Sequence, residues 1–501
     1  MEFLSGIMAA LSLEAIIANM AGVALGMIFG VIPGLTAVTG IAILIPLTFG
    51  MSTVTGMSAL LGVYVGAIYA GSITAILINT PGTAAAAATL LEGPALREKG
   101  MAGKALTMTT VASFVGGIIS CGALIVISPQ LASLAMQFGP PEYFALALFG
   151  LSIVAGLSKG AILKGISAAL VGLLVSTIGT DPVTGTIRFT FGSPDLLNGL
   201  SFVPALIGLF AISQVFIKLL DKNCVEQVPE VPKDRLTWKE FRSNWKSIGL
   251  ASAIGTLVGI IPATGSGTAS YIAYDQARRF SKHPEEFGKG TLEGIAATET
   301  ANNAVTGGAL IPLLTLGIPG DVVTAVILGG LMIQGLTPGP LLFAEHADTV
   351  YGMFTSLLLA NVFMLVFGLL AIRLFVKVLR IPQNVLLPLI IVFCVLGGYA
   401  VNNSGFDVWV VFFFGLLGYI MMRFDIPLPP MLLALILSPL LESNFRRAMV
   451  MSGNDLSVFV TRPISLLFIA ITVIVLGFTI IEEIRKRRKA AKETNDTATE
   501  A

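Results

Sequence analysis

Charge is what this sequence has least of. Of its 501 residues only 12% are charged, about half the share found in ordinary soluble domains. A water-soluble globule of this length needs far more charge to cover its surface, so that class is excluded. Basic and acidic residues balance, 30 against 29, which leaves no basic surplus for nucleic acid. Cysteine is scarce as well. Cys121, Cys224 and Cys394 stand far apart, which excludes a disulfide framework and a four-thiolate metal site. The two histidines, His283 and His346, come without a His-Glu-x-x-His zinc motif. No Gly-Lys-Ser or Gly-Lys-Thr occurs, so there is no phosphate-binding loop and no built-in ATPase. Gly265-Ser-Gly267 lacks the third glycine and the preceding strand of a dinucleotide fingerprint. No enzyme and no bound cofactor is expected. The N-terminus lacks the basic start and the small-residue cleavage site of a secretory signal, and is read as retained.

What is present in abundance is apolar sequence. Hydrophobic residues make up 55% of the chain, and the mean hydropathy is +0.89. The apolar runs are continuous over about 18 residues or more, as in 350–372 and 464–481, which suits spanning helices and not the alternating strands of a barrel. The expected class is an all-α polytopic membrane protein. Its 54 glycines and 25 prolines are many for straight helices. Helix-breaking residues persist at membrane depth where they are buried in protein or line a cavity, so broken helices are expected.

The basic residues set the orientation. The first is Arg97, and a second basic desert runs from Gly290 to Ile372. Clusters at Arg97/Lys99/Lys104, Lys159/Lys164, Lys218 to Lys246, Arg278 to Lys289, Arg373 to Arg380, Arg423 and the tail from Arg485 are placed in the cytoplasm. Spans are then expected near 104–128, 140–157, 160–178, 200–220, 349–376, 384–400, 407–423, 428–441 and 463–481. Arg188, Arg446, Arg447 and Arg462 fall on the outer side as exceptions. The N-terminus is expected in the periplasm and the C-terminus in the cytoplasm. Residues 1–220 read as a first membrane repeat and 221–247 as a charged cytoplasmic linker ending in an interfacial helix. A second repeat covers 248–462, followed by a last span at 463–481 and a disordered tail at 482–501.

The two repeats share a pattern. Gly26 to Gly34 parallels Gly255 to Ala263, and small residues recur every fourth position at Gly22, Gly26, Gly30, Gly34 and at Ala251, Gly255, Gly259, Ala263. That spacing lets helices approach closely. Each half also has a second Pro-Gly break, Pro81-Gly82 and Pro319-Gly320. The first unit ends at the basic loop 93–104 and the second at the base-free loop 337–348, so the pair is expected to be inverted. Residues 13–50 and 248–280 then read as hairpins that enter and return.

A break at Pro-Gly frees N–H groups at one new helix end and carbonyls at another, suited to an anion and a hard cation respectively. Hydroxyl and amide side chains crowd these places. A substrate site is expected from Pro33, Gly34, Thr36, Asn79, Thr80, Pro81, Gly82, Thr83, Thr264, Gly265, Ser266 and Gly267. A coupling-ion site is expected from Thr300, Asn302, Asn303, Gly317, Pro319, Gly320 and Asp321, the ion being Na⁺ or H⁺; Na⁺ is the one metal this reading admits. Glu299 and Asp321 flank the second unit's motifs, and either could take a cation or proton. Helix capping is the alternative role for Asp321, and mending of breaks the alternative for the hydroxyls.

Gly30-Val-Ile-Pro-Gly-Leu35, the run Tyr69 to Thr83, Gly93-Pro-Ala-Leu-Arg-Glu-Lys-Gly100, Ala301-Asn-Asn-Ala304, the run Gly308 to Gly320 and Leu441-Glu-Ser-Asn-Phe-Arg-Arg447 resemble the large membrane subunit of the tripartite tricarboxylate transporter family. The resemblance runs from about residue 13 to 481. Thr298-Glu-Thr300 and Asp321 depart from the family pattern. The resemblance implies a permease of the bacterial inner membrane that works with a small membrane subunit and a periplasmic solute-binding protein. It implies uptake of citrate-like carboxylates by symport with an ion, and, by analogy with other binding-protein-dependent carriers, an elevator motion. An anion channel, a carrier independent of a binding protein and a structural scaffold are the rival readings.

Overall fold

A computed structural model describes residues 2–156, 162–181, 184–220, 234, 236–262, 264–477 and 481. Among them eight helices are long and apolar enough to cross a membrane. The chain belongs to the multi-pass membrane class. Lys159, Cys224, Ala263, most of the linker 221–247 and the tail 482–501 lie outside the described residues.

Two compact units divide the chain, Met1–Met136 with Val203–Tyr419, and Gln137–Phe202 with Ile420–Ala501. Each draws on both halves of the sequence. The boundaries at 220 and 248 divide the sequence, whereas these units divide the fold.

Nine of the helices described in the larger unit position the site: α1 Leu13–Val31, α2 Ala37–Leu44, α3 Thr53–Ile78, α4 Ala102–Ala135, α5 Trp245–Ile260, α6 Gly265–Phe280, α7 Leu292–Leu316, α8 Val322–Ile333 and α9 Ala347–Leu370. Two of them form its centre. In α3 every residue from Val54 to Leu77 is buried, and in α7 every residue from Gly294 to Thr315. Neither was among the spans expected above. Helix α3 has spanning length and hydropathy, yet protein covers 94% of its apolar window. Helix α7 is as long but carries Thr298, Glu299, Thr300, Asn302 and Asn303, so its hydropathy understates its depth.

Small residues explain the packing. Helix α1 lies along α3. A methyl group on Gly22, Gly26 or Gly30 would stand 2.2–2.4 Å from the carbonyl oxygens of Ala59, Val63 and Ala67. Helix α5 lies along α7 in the same way, with Gly255 against the Ala301 carbonyl and Gly308 against that of Thr256. Lipid offers little hydrophobic drive between helices, so close backbone approach supplies the contact. Helices α4 and α9 cover the remaining sides of α7 and α3.

The span expected at 349–376 ends earlier, at Leu370, and a short helix Ile372–Lys377 follows. Residues 202–220 are helical throughout, with one wide turn at Gly208–Ile212. Trp238–Ser243 at the end of the linker is helical, with Trp238 exposed.

The smaller unit packs Pro140–Gly156 and Ile162–Ser176 against Leu428–Met451. This last helix runs ten residues beyond the expected end at 441, where Glu442 and Arg446 are paired. Arg446 bonds the buried Asp181 at 2.8 Å and Glu442 at 2.7 Å, and Arg188 bonds Glu442 at 2.8 Å. Arg462 bonds Glu142 at 3.0 Å. Three of the exceptions to the charge map are thus members of ion pairs. Lys164 donates to the carbonyl of Phe424.

Candidate functional site

Four interruptions shape the larger unit. Between α1 and α2 the chain turns through Pro33 and Gly34, whose φ of +82° favours glycine. Helix α3 stops at Asn79, left-handed with φ 54°. The N–H of Thr80 turns back to the Thr74 carbonyl, Pro81 has none to donate, and that of Gly82 reaches Gly71 at 3.0 Å. Helix α7 stops in like manner: Gly317 is left-handed with φ 73°, Ile318 N–H donates to Pro312, and Gly320 N–H reaches Ala309 at 3.3 Å. Between α5 and α6, Thr264 Oγ1 lies 2.5 Å from the Val258 carbonyl and 2.8 Å from that of Ile261. Thr264 therefore mends its break.

The breaks meet in pairs. A methyl on Gly82 would fall 1.9 Å from the Gly30 carbonyl oxygen, and one on Gly320 would fall 2.5 Å from that of Gly259. The halves then interlock. Gly267 at the start of α6 faces the backbone of Ala84, one residue after Thr83, and α8, which follows Gly320, packs on α2. The stretch after Thr83, Ala84–Leu91, is a tight 3-10 helix. Of the expected substrate residues, Gly82, Thr83 and Ser266 are buried, while Gly34, Asn79 and Thr80 are exposed. Pro33, Thr36, Pro81, Thr264, Gly265 and Gly267 are half-buried. Thr83 Oγ1 has no protein partner.

The polar stretch of α7 lies wholly inside. Asn302 donates to the Ile68 carbonyl at 3.3 Å, but its own oxygen has no protein partner, nor have Thr300 Oγ1 and either side-chain atom of Asn303. Thr306 bonds the carbonyl of Asn303 within its own helix. Asp321 caps α8: its Oδ1 accepts from the Thr324 N–H at 2.7 Å, and Tyr64 donates to its Oδ2 at 2.8 Å. Capping is the role its geometry displays. Glu299 touches Thr89, and its Oε2 lies 2.8 Å from Ser72 Oγ.

Sequence reasoning had no signal for several of these partners. Tyr64, Ser72 and Thr89 come from the other half of the chain. Lys218, read as part of a cytoplasmic cluster, is buried, and its Cε would lie 3.0 Å from a methyl on Gly34. Glu92, also buried, accepts from the Tyr274 hydroxyl and from the N–H groups of Gly288, Gly290 and Thr291, tying the end of the first unit to the start of α7. Among the described residues no group of three or more His, Cys, Asp or Glu could hold a metal ion. A cavity of about 760 Å³ lies away from the breaks, lined by Arg242, Lys246, Lys282 and Glu293 among others.

The chain is 40% identical over 468 residues, 93% of each sequence, to an "uncharacterized 52.8 kDa protein in TAR-I ttuC' 3'region" of Agrobacterium vitis. It is 39% identical over 234 residues to an "uncharacterized protein in TAR-II ttuC' 3'region" of the same organism, covering 47% of this chain and 97% of that one. No solved structure matches. Residues 16–433, which contain all four breaks, match the family described as tripartite tricarboxylate transporter TctA. The chain belongs to the tripartite tricarboxylate transporter TctA family.

Proposed function

We propose that this chain is the large permease subunit of a secondary transporter that imports tricarboxylates or related citrate-like carboxylates, driven by a Na⁺ or H⁺ gradient. It works in the bacterial inner membrane beside a small membrane subunit, and receives substrate from a periplasmic solute-binding protein. The N-terminus faces the periplasm and the C-terminus the cytoplasm. The observation that carries this reading is the pairing of Gly30 with Gly82 and of Gly259 with Gly320 in a chain of this family. Interrupted helices at matching places in two halves are the arrangement by which carriers form a site at membrane depth.

The substrate's carboxylates are bound by the hydroxyls of Thr83 and Ser266 and by the first turn of α6, with Lys218 adding positive charge near Gly34. The coupling part lies along Thr300, Asn302 and Asn303. The two halves act as inverted repeats, and one moves against the other in an elevator-type step. No cofactor takes part. Cells lacking their own citrate carriers should accumulate labelled citrate when given this chain with its two partners, and should not when this chain is omitted. Accumulation without this chain contradicts the reading.

A further inference from the structure

Glu299 is a fully buried carboxyl in the first third of α7, with no cation paired to it among the described residues. An isolated buried carboxylate costs several kcal/mol or more and persists only when its charge is balanced or removed. The partners of the carboxyl tell which. Ser72 has one hydroxyl hydrogen, yet Ser72 Oγ lies 2.5 Å from the Tyr69 carbonyl and 2.8 Å from Glu299 Oε2. A carbonyl oxygen can only accept. Ser72 shares that hydrogen between the Tyr69 carbonyl and Glu299 Oε2, and Asn302 reaches the same carboxyl. The other oxygen, Oε1, accepts from the Thr89 hydroxyl. None of these partners carries a charge, so only protonation removes the cost of burying the carboxylate. Asp321 is held differently, as the cap of α8, accepting from the Thr324 N–H and from the Tyr64 hydroxyl.

We propose that Glu299 carries the coupling proton of this transporter. The Ser72 and Thr89 hydroxyls donate to its two oxygens and hold the carboxyl in place. The proton comes from water on one side and leaves to water on the other, with one O–H bond formed and broken per cycle. The position suits a proton carrier, since Ser72 precedes the break at Pro81-Gly82 and Thr89 follows it, so a change in either flank is felt by the carboxyl. The titratable group beside it is Tyr69 of α3, which shares a hydrogen bond with Thr110. Helix α4 brings Ser113 to its backbone, and Asn302 approaches along α7. No charged group of α4, α5 or α6 acts on it among the described residues.

This inference rests on the carrier reading, and two measurements separate them. Infrared spectra of the purified full chain in lipid at neutral pH should contain the carbonyl stretch of a protonated carboxyl, and Glu299→Gln should lack it. Ser72→Ala keeps the carboxyl, so there the band should remain but move in frequency, which guards against a misfolded Glu299→Gln. A spectrum unchanged in both variants overturns the proposal. With the two partners reconstituted and labelled citrate as probe, an imposed proton gradient should concentrate citrate in wild-type vesicles. In Glu299→Gln vesicles the internal and external concentrations should become equal. Full proton-driven accumulation by Glu299→Gln, or accumulation driven by Na⁺ alone, overturns it. Wild-type vesicles that take up no citrate contradict the carboxylate reading instead, while the infrared band still decides the proton.

Discussion

Gly82 sits so close to Gly30 that a methyl group on it would lie 1.9 Å from the Gly30 carbonyl oxygen. Its counterpart Gly320 stands against Gly259 at 2.5 Å by the same measure. Neither neighbour is a flexible side chain that could yield. Gly82→Ala and Gly320→Ala should each destabilise the protein by about 1–3 kcal/mol, the usual cost of forcing atoms into a packed interior. Both should also lose transport. Thermal unfolding in detergent and citrate uptake check this, and an unchanged melting temperature in both variants would contradict the close approach.

Asn303 differs from its neighbour Asn302. Neither side-chain atom of Asn303 has a protein partner, whereas Asn302 bonds the Ile68 carbonyl. A purely structural role predicts that Asn303→Ala lowers stability and yield. A role in coupling predicts normal yield and a melting temperature no lower than wild type, with a higher coupling-ion concentration for half-maximal uptake. Asn302→Ala should lose about 1 kcal/mol with its hydrogen bond. Normal ion dependence in well-folded Asn303→Ala protein removes that residue from the site.

A third prediction concerns pH. The Lys104 ammonium, followed by the Thr237 N–H and hydroxyl, holds the Glu240 carboxyl down at about 2. A depressed carboxyl stabilises the fold above its unfolded value of about 4.3 and loses that contribution as pH falls toward the folded value. The pair is partly exposed, so its worth is below about 1 kcal/mol. The melting-temperature gap between wild type and Glu240→Gln should be constant from neutral pH to near pH 5, then close between about pH 4 and 2. A gap that widens on acidification contradicts this assignment.

Orientation follows from the two basic deserts. With native cysteines replaced, a single cysteine at Glu345 or His346, both exposed, should react with an impermeant reagent added to intact cells. One at Lys99 or Gly100, also exposed, should not. The reverse pattern would sink the inverted arrangement.

Much of the fold could be read from the residues that punctuate it. Pro33-Gly34, Pro81-Gly82, Pro262 and Pro319-Gly320 each mark an interruption, because proline lacks an N–H and glycine tolerates left-handed backbone. The stripe Gly22, Gly26, Gly30 packs as its spacing implied. The central helices α3 and α7 were harder to see. Hydropathy reports transfer into lipid, whereas α7 is buried in protein and can hold amides and a carboxyl there. Helix Leu428–Met451 was cut short since Glu442 and Arg446 look like a helix end until Asp181 and Arg188 are known to face them. The partners of Glu299 were invisible for a related reason. Ser72 and Thr89 lie more than 200 positions away in sequence, and nothing local to Glu299 points to them.

The central claim is that this chain is a carrier fed by a partner protein. The direct test reconstitutes it with its small membrane subunit in vesicles, imposes an inward cation gradient, and follows labelled citrate with and without the solute-binding protein outside. A carrier of this kind should accumulate citrate above the external concentration, and only with both the gradient and the binding protein present. Equal uptake without the binding protein, or flux that only equilibrates citrate whatever the gradient, would contradict it.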